Sequence, residues 1–477
     1  MPIPPVTRAA AFVLERAAAE RLTGGSWIGN QAAVTVRGAG IDSRAVAPGS
    51  LFACLPGASH DGHDFAATAV GDGAALVLAS RALAVSVPVP VLQVSDVAQA
   101  LGRLAAEFRR RMTATRWLAI TGSNGKTTVK ELLASACAAA GAVHATRGNL
   151  NNHLGVPLTV LCTPEDTAFA VIEMGANHAG EIAALAAIAA PEVGVITSLG
   201  PAHLEGFGSL LGVARAKSEL FAALPAGAPA LLGLHGLEQA CVDAGESSAR
   251  LLDEVRARAS GRRLELVGAD ALAGAAAGRL LGDGVELITP DGSAQVRLLG
   301  AHNLANAKLA YRAALSAGVS GKQALAGLAR MSAVPGRLHP HRLGAHLVLD
   351  DSYNANPASM LAGLELLAGY PGRRLAVLGG MAELGGLSEA GHRQVGAAAA
   401  RLALSLVAVG ERARAIHDGF RASGGGDGVH AANREDALAL VRHRLAVGPT
   451  TVLVKGSRAA GLEWLVEQLS AAAGGSP

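Results

Sequence analysis

The sequence is poor in aromatic and charged residues, and each shortage argues against a class of protein. Aromatic side chains make up only 3% of the 477 residues, too few to supply the stacking platforms that bind single-stranded nucleic acid. Charged residues make up 17%, and the net charge is only +3. No run of Lys and Arg is dense enough to follow a phosphate backbone. We therefore expect no nucleic-acid partner.

Cysteine is scarce, and long apolar runs are missing. The four cysteines lie far apart without a C-x-x-C pair, so their spacing predicts neither a zinc site nor a disulfide framework. Glu15 and Glu20 interrupt the apolar N-terminal stretch, where a signal peptide would need its core. No uncharged apolar run reaches the roughly 20 residues of a membrane span. We expect a soluble protein of the reducing cytoplasm.

Aliphatic residues are abundant instead. Hydrophobic residues make up 50% of the chain, which is enough for several buried cores. A length of 477 residues exceeds the roughly 100–200 residues of one ordinary domain. We predict an α/β protein of three domains, a small mixed unit at 1–112 and parallel-sheet units at 113–331 and 332–477. The Pro-Gly pair of the segment SAVPGR marks the second boundary.

Short apolar strands that alternate with Ala- and Leu-rich helices indicate helix-covered parallel sheets. The strands predicted for the second unit are 117–121, 168–174 and 193–197, and those for the third are 346–350, 374–378, 404–409 and 451–454. The second unit should also contain a short antiparallel insertion within 262–300 and a helix at 303–317. The first unit is expected to begin with a helix and to end with another at 96–112.

The strongest local signal is the segment LAITGSNGKTTVK, an apolar strand, a glycine loop and the start of a helix. Gly122 and Gly125 let backbone N–H groups turn inward around an anion, and the helix N-terminus adds its positive end. This pattern places Lys126 on the β- and γ-phosphates of a nucleotide and Thr127 on Mg²⁺. Because Ile120 stands where the longer motif has a glycine, the match is to the shorter form G-x-x-G-K-T-T.

Three other polar residues follow strands of the same predicted sheet. Glu173 ends the strand AFAVIEM, where a carboxylate either holds a metal ion or its water or remains a solvated strand end. His203 and Lys217 flank the start of a helix after the strand VGVIT. Taken alone, such a histidine is more often structural and such a lysine a surface charge. Their place beside the phosphate loop, at the carboxyl edge of the sheet, favours a shared site.

The order of these motifs resembles that of the Mur ligase family. The matching segments are ITGSNGKTT, TRGNLNNHLGVPL, IEMGANHAGEI, GPAHLEGF, ARAKSEL, AHNLANA, PGR and DDSYNANPASM. They span most of the chain, and EMGANHAGE, GNLNNHLGVPL and DSYNANP look like the members that add D-alanyl-D-alanine. The resemblance implies an ATP-dependent, ADP-forming ligase that joins this dipeptide to UDP-N-acetylmuramoyl-tripeptide, through an acyl phosphate, in peptidoglycan synthesis.

The resemblance also implies what each domain does. The first domain would bind the UDP-substrate, the second would be a phosphate-loop ATPase, and the third would be a Rossmann-like domain that closes on the nucleotide and binds the dipeptide. The implied ATP-binding residues are Gly122, Ser123, Asn124, Gly125, Lys126, Thr127, Thr128, Asn152, Asn303, Asn306, Arg337, Asp351 and Tyr353. Among them, Asn306 is the preferred adenine contact, and Asn152 is a second candidate.

The implied catalytic residues combine cations with metal ligands. They are Lys126, Glu173, His203, Lys217, Arg337 and Asp351. Thr127, Glu173 and His203 would hold Mg²⁺, and Lys217 would join them as a CO₂-derived carbamate, because a bare ammonium repels Mg²⁺ whereas a carbamate offers an anionic oxygen. Arg337 belongs to the third domain, so the site should assemble on closure, which also excludes water from the acyl phosphate.

Other implied assignments rest on shorter motifs. Asp42, Ser43 and Arg44 match the family's UDP-binding segment, and the planar fork of Arg44 suits a diphosphate, although a chance surface turn would read the same. VLVKGSRAAGLE either helps recognise the dipeptide or is an ordinary strand-to-helix connection, and AVLGGMAELGGLSEAGH receives no assigned contact. The motifs are compatible with meso-diaminopimelate or L-lysine as the third residue of the tripeptide, and the family expectation is a monomer.

Two other functions share part of this pattern. A folylpolyglutamate synthetase would have the same phosphate loop and metal residues, but the forms NLNN, EMGANHAGE and SYNANP argue against it. A nucleotide-driven switch or motor would be a different class altogether. The chain has no guanine-specificity signature of the form N-K-x-D, and a third domain that offers Arg and Asp toward the phosphates favours ligation.

Overall fold

The computed structural model describes residues 9–57, 60–268, 277–331 and 334–472. Within these ranges, three sheet-centred domains follow one another along the chain. This is the α/β architecture that the sequence predicts. Ser332, in the predicted linker between the second and third domains, lies outside the described residues. Among those described, no helix combines the length and apolarity needed to cross a membrane.

The first domain packs helices on a small mixed sheet. Its strands are β1 (Ala11–Glu15), β2 (Ser26–Ile28), β3 (Ala33–Arg37), β4 (Ala39–Gly40), β5 (Leu51–Ala53), β6 (Leu76–Ala79) and β7 (Val91–Gln93). Its helices are α1 (Arg16–Thr23), α2 (Ala66–Gly71) and α3 (Val97–Arg111). The main sheet has the order β2-β7-β6-β5-β4, in which only β2 is antiparallel to its neighbour.

The prediction that this domain begins with a helix is wrong for the described residues. The first element is β1, which pairs antiparallel with β3. Phe12 and Leu14 are buried while the residues between and around them are exposed, and this period of two is that of a strand. The predicted second helix is confirmed as α3, which begins after Asp96, whose carboxylate accepts a hydrogen bond from Gln99 N at 2.9 Å.

The middle domain is a parallel sheet covered by helices. Its strands are β8 (Arg116–Thr121), β9 (Val143–Ala145), β10 (Phe169–Glu173), β11 (Val193–Ile196), β12 (Pro229–Gly233) and β13 (Arg263–Val267), followed by the antiparallel β14 (Ala277–Leu281), β15 (Gly284–Thr289) and β16 (Gly292–Val296). Its helices are α4 (Lys126–Ala138), α5 (Gly155–Leu161), α6 (Glu181–Ala189), α7 (Leu204–Phe207), α8 (Leu210–Ala223), α9 (Leu237–Ala244), α10 (Ser248–Arg258), α11 (Ala301–Ser316) and α12 (Gly321–Ala329).

The order of the parallel sheet, β13-β12-β11-β8-β10-β9, sets the position of the phosphate loop. After β8 the chain builds β9 and β10 on one side and β11 to β13 on the other, so a crevice opens beyond the carboxyl end of β8. The antiparallel insertion is confirmed as β14 to β16, but its predicted start at 262 is wrong. That part of the chain is β13, a parallel edge strand whose partial burial gives it a weak apolar signal.

The C-terminal domain contains a second, mostly parallel sheet. Its strands are β17 (His339–Leu343), β18 (His346–Asp351), β19 (Arg373–Gly379), β20 (Ser405–Val409), β21 (Gly428–Ala431) and β22 (Thr450–Lys455), in the order β17-β18-β22-β19-β20-β21. Its helices are α13 (Pro357–Ala368), α14 (Ser388–Arg401), α15 (Arg414–Ala422), α16 (Arg434–Leu445) and α17 (Glu463–Ala472). The four central strands match the prediction. The edge strands β17 and β21 were not predicted, because each is short and largely half-exposed.

Candidate active site

A cleft of about 1670 Å³ lies between the middle and C-terminal domains. One wall consists of the loop after β8, the end of β10 with Glu173, the loop that carries His203, and the first turns of α11. The opposite wall contains Arg337, Asp351 and Tyr353 of the C-terminal domain. The cleft therefore brings together most of the residues that the sequence motifs single out.

Two glycines give the loop after β8 its shape. Gly122 has a φ of +143° and Gly125 a φ of +80°, and both angles favour glycine. A Cβ at Gly122 would lie 2.1 Å from Thr197 Oγ1, and one at Gly125 would lie 2.8 Å from Asn306 Oδ1. The loop can thus approach its neighbours only because these positions lack side chains.

The lysine of this loop folds back over it. Lys126 Nζ donates hydrogen bonds to Gly122 O at 2.8 Å and to Ser123 O at 3.3 Å. Burial lowers the pKa of Lys126, and the charge of Arg337 adds to this effect while Glu173 opposes it. A phosphate in the loop would supply a further negative charge to stabilise this half-buried ammonium.

The loop after β11 braces the phosphate loop. Ser123 Oγ donates to Gly200 O at 2.8 Å, and Ser198 Oγ accepts from Asn124 N at 3.0 Å. Thr197 Oγ1 donates to Asn124 O at 2.5 Å. Thr197 and Ser198 were missed in the sequence, where only their place at the end of a predicted strand pointed to them. With these bonds made, the side chain of Ser123 is engaged within the protein.

Glu173 offers a buried oxygen without a partner. Its side chain is 2% exposed, and its Oε1 accepts from Asn151 Nδ2 at 2.8 Å and lies 3.4 Å from Thr127 Oγ1. Its Oε2 is buried and has no hydrogen-bond partner. Buried carboxylate oxygens are ordinarily satisfied, so the hydroxyl of Thr127 and the free oxygen of Glu173 fit a divalent cation. Asn151 was missed, although its neighbour Asn152 had been singled out.

His203 lies at the surface of the cleft wall formed by the middle domain, whereas Lys217 is buried behind that surface. His203 lines the cleft, and its Nδ1 lies 2.9 Å from Glu383 Oε2; burial lowers its pKa, whereas Glu383 opposes the shift. Lys217 is 1% exposed and lies behind the lining residues, where its Nζ donates to Ala176 O at 3.3 Å. Burial, helped by the charge of Lys126, lowers the pKa of Lys217 to about 7.

These groups suit Mg²⁺ better than a metal held by protein alone. Among the described residues, no three His, Cys, Asp or Glu side chains form a group able to hold a metal ion. Mg²⁺ is usually bound through one or two carboxylates together with substrate phosphates and waters. A phosphate loop next to one unsatisfied carboxylate oxygen meets that requirement.

The helix asparagines Asn303 and Asn306 lie beside the phosphate loop. Asn306 Nδ2 donates to Asn303 Oδ1 at 3.0 Å, and Asn303 Nδ2 donates to Leu299 O at 2.8 Å. Asn152 also lines the cleft, but its Oδ1 accepts from Leu154 N at 3.1 Å and Gly155 N at 2.9 Å. That oxygen of Asn152 therefore caps the start of α5.

The C-terminal domain presents a cation and an ion pair to the cleft. Arg337 Nη2 donates to Thr127 Oγ1 at 3.2 Å, and its guanidinium lies 4.5 Å from the centre of the Tyr353 ring. Asp351 Oδ2 accepts from Lys455 Nζ at 2.7 Å. Burial raises the pKa of Asp351, while Lys455 opposes the rise. Lys455 was missed as a site residue because its segment, VLVKGSRAAGLE, also reads as an ordinary connection.

The predicted UDP-binding residues lie away from this cleft. Asp42, Ser43 and Arg44 follow β4 in the first domain and are not among the lining residues. Arg44 donates from Nε and Nη2 to the two carboxylate oxygens of Asp42 at 2.9 and 2.7 Å, and Ser43 is buried. The guanidinium of Arg44 is held by Asp42, two positions earlier in the chain, and the side chain of Arg44 is otherwise exposed.

Family models cover all three domains. The model described as "Mur ligase family, catalytic domain" matches residues 35–109. "Mur ligase middle domain" matches residues 120–314, and "Mur ligase, glutamate ligase domain" matches residues 336–458. The three matches follow the order of the three domains.

Named relatives match nearly the whole chain. The UDP-N-acetylmuramoyl-tripeptide--D-alanyl-D-alanine ligase of Escherichia coli K12 is 40% identical over 443 residues, which cover 91% of this chain and 94% of that protein. The enzyme of the same name from Mycobacterium tuberculosis H37Rv is 37% identical over an alignment of 484 positions, gaps included, that covers 90% of this chain and 91% of that protein.

Solved structures agree with these relatives. MurF from Acinetobacter baumannii superposes with a TM-score of 0.82 at 32% identity, covering 96% of this chain and 99% of that chain. MurF ligase from Thermotoga maritima in complex with ADP superposes with a TM-score of 0.77 at 26% identity, covering 92% of this chain and 98% of that chain. A folylpolyglutamate synthase from Mycobacterium tuberculosis superposes with a TM-score of 0.60 at 18% identity, covering 80% of this chain and 95% of that chain. At this identity the likeness shows a shared fold alone. This chain belongs to the Mur ligase family, and the ligase class and three-domain architecture predicted from its motifs are confirmed.

Proposed function

We propose that this chain joins D-alanyl-D-alanine to UDP-N-acetylmuramoyl-tripeptide with conversion of ATP to ADP and phosphate. The observation that carries the proposal is the meeting, in one cleft, of the phosphate loop, Glu173 and Arg337. Relatives whose names state this reaction match nine-tenths of the chain, and a structural neighbour binds ADP. These comparisons support the choice of substrates.

The chemistry explains why cations surround the cleft. A carboxylate does not react with an amine in neutral water, because its charge repels attack and oxide is a poor leaving group. The tripeptide carboxylate therefore attacks the γ-phosphorus of ATP and displaces ADP. The dipeptide amine then attacks the carbonyl of the acyl phosphate, loses a proton and expels phosphate. Lys126 and Arg337 are placed to stabilise charge on the transferred phosphoryl group.

Mg²⁺ would be held by Thr127, Glu173 and His203, and would neutralise charge on the β- and γ-phosphates. We propose Lys217 as a further ligand after reaction with CO₂. CO₂ adds to neutral amines, and a buried lysine with a pKa of about 7 is in part neutral at physiological pH. On losing a proton the adduct becomes a carbamate, whose negative charge lies near Lys126 and can bind Mg²⁺, whereas Mg²⁺ would repel the ammonium of the unmodified lysine.

The remaining assignments follow from position. We propose that Asn306, Asn303, Asp351 and Tyr353 surround the adenosine of ATP, with the backbone near Asn152 as a further neighbour. Their places along the cleft, beside the phosphate loop, support this assignment.

For the UDP-substrate we propose the first domain, with Asp42, Ser43 and Arg44 at the diphosphate. Domain boundaries near 112 and 332 separate the three binding functions. We propose that the protein acts as a monomer, since the phosphate loop, Glu173 and Arg337 meet within a single chain.

The proposal is tested by substrate omission. Purified protein receives ATP, Mg²⁺, UDP-N-acetylmuramoyl-tripeptide and D-alanyl-D-alanine, with each component left out in turn, and released phosphate is measured. We expect release only with the full set and a UDP-muramoyl pentapeptide in the mass spectrum. Running the assay with the diaminopimelate and the lysine tripeptide decides the third residue. If phosphate is released with single amino acids as acceptors but not with the dipeptide, the chain is another member of the family.

A further inference from the structure

His203 of the middle domain and Glu383 of the C-terminal domain meet across the cleft. His203 Nδ1 lies 2.9 Å from Glu383 Oε2, and both residues line the same cleft. Glu383 lies in the loop that follows β19, at the carboxyl end of a parallel strand. The contact therefore joins a proposed metal ligand to a residue that no motif assignment uses.

Both residues have an unusual backbone. His203 has a φ of +52° and Glu383 a φ of +62°, in the left-handed region that few residues other than glycine adopt. The loops that present the two side chains to each other thus hold an uncommon conformation on each side. Such conformations cluster at functional sites, where the surrounding structure maintains them.

The contact with Glu383 bears on which imidazole nitrogen is free. A carboxylate only accepts hydrogen bonds, so a carboxylate oxygen 2.9 Å from Nδ1 favours the neutral tautomer of His203 that carries its proton on Nδ1. The lone pair is then on Nε2. Histidines that bind metals ordinarily donate their other ring N–H to a carboxylate or carbonyl, which fixes the tautomer and the orientation of the ring.

We propose that Glu383 is a positioning residue that prepares His203 to bind the divalent cation through Nε2. The inference rests on the proposed role of His203 as a metal ligand. Because Glu383 belongs to the C-terminal domain, its carboxylate reaches His203 only when that domain is closed over the phosphate loop. Cation binding and domain closure therefore favour each other.

A plain surface ion pair is the competing explanation. The side chains of His203 and Glu383 are 28% and 62% exposed, and pairs this exposed contribute little to stability. The two explanations differ in whether the carboxylate of Glu383 affects cation binding. A surface pair leaves the affinity for the cation unchanged, whereas a positioning residue changes it through His203.

The test uses Mn²⁺ as a spectroscopic substitute for Mg²⁺. Free Mn²⁺ is measured by electron paramagnetic resonance in the presence of full-length protein and β,γ-methylene-ATP. We expect Glu383→Ala to weaken Mn²⁺ binding by about 10- to 100-fold and Glu383→Gln to weaken it less, since its amide oxygen still accepts from Nδ1. Glu389→Ala, an exposed glutamate of the same domain that pairs with Arg393, is the control and should match the wild type.

The same change in a His203→Ala background separates positioning from direct binding. Once His203 is absent, Glu383→Ala should have no further effect on Mn²⁺ affinity. An equal loss in both backgrounds, or an unchanged affinity in Glu383→Ala alone, would overturn the proposal. Circular dichroism and thermal melting confirm that each variant is folded.

Closure is measured on the same samples by small-angle X-ray scattering. Mn²⁺ and nucleotide should reduce the radius of gyration of the wild type more than that of Glu383→Ala, and equal reductions would contradict the coupling. Neither measurement uses the UDP-substrate or the dipeptide. A failure of this inference is therefore distinguishable from a failure of the proposed ligase reaction, which product analysis decides.

Discussion

Arg337 of the C-terminal domain donates a hydrogen bond of 3.2 Å to Thr127 Oγ1, in the residue that follows the phosphate-loop lysine. Its guanidinium lies 4.5 Å from the centre of the Tyr353 ring, and an aromatic face orients such a planar cation. The contact places a permanent positive charge beside the phosphate loop. It also depends on the packing of two domains against each other.

Replacing this arginine should separate catalysis from substrate binding. We expect Arg337→Ala to lower kcat by about 10²- to 10³-fold, as loss of one donor to developing charge does, and to leave the Kd of the UDP-substrate nearly unchanged. An ADP-coupled assay gives kcat, and calorimetry gives the Kd. Arg256→Ala removes a surface arginine that pairs with Asp253 and serves as control. Equal losses in kcat and UDP-substrate affinity would count against the assignment.

Two glycines of similar conformation test the shape of the phosphate loop. Gly125 and Gly227 have φ values of +80° and +73°, but an added Cβ lies 2.8 Å from Asn306 Oδ1 at the first position and meets nothing within 4 Å at the second. Gly227→Ala should cost only the left-handed strain, about 1–2 kcal/mol, and retain nucleotide affinity. Gly125→Ala should also weaken ATP binding by about tenfold or more. Equal ATP affinities in the two variants would refute the steric argument.

The proposed carbamylation of Lys217 can be tested directly. Its Nζ is buried, with Ala176 O as a hydrogen-bond acceptor, and its pKa is lowered to about 7. In ¹³C-bicarbonate with Mg²⁺ and nucleotide, we expect a carbamate resonance in the ¹³C spectrum that disappears in Lys217→Arg. It should persist in Lys322→Arg, which alters an exposed lysine. A resonance that survives in Lys217→Arg would place the modification elsewhere.

Lys130 is linked to Glu173 through Thr146, the residue that follows β9. Its side chain is 1% exposed, and its Nζ donates to Thr146 O at 2.6 Å, while Thr146 Oγ1 accepts from Glu173 N at 2.9 Å. Lys130→Met keeps the bulk but leaves a buried carbonyl without its donor, so we expect the free energy of unfolding to fall by about 1–3 kcal/mol. Urea titration measures it. Lys322→Met should change little, and an equally small effect at Lys130 would show that its hydrogen bond is dispensable.

The parts of the site encoded in short segments were predictable. The phosphate loop is one such part, because Gly122, Gly125 and Lys126 act within a few residues of one another and β8 is a continuous buried run. The family and its three-domain fold followed from the order of such motifs. The edge strands β17 and β21 escaped prediction because a half-exposed strand has no apolar run to mark it.

Residues defined by contacts between distant segments were not predictable. Lys455 is separated from Asp351 by 104 positions, and Glu383 meets His203 only because two domains pack together. Neither segment carries a local pattern that distinguishes a site residue from an ordinary loop after a strand. The roles of Asp42, Ser43 and Arg44 remain predictions that ligand binding will test.

Transfer of oxygen from the tripeptide to phosphate tests the central claim most directly. The UDP-N-acetylmuramoyl-tripeptide is prepared with ¹⁸O in its reacting carboxylate, and the phosphate released during ligation is analysed by mass spectrometry. If that carboxylate attacks the γ-phosphorus and phosphate leaves from the acyl phosphate, each phosphate carries one labelled oxygen. Phosphate without label would contradict the account, because its fourth oxygen would then have come from water.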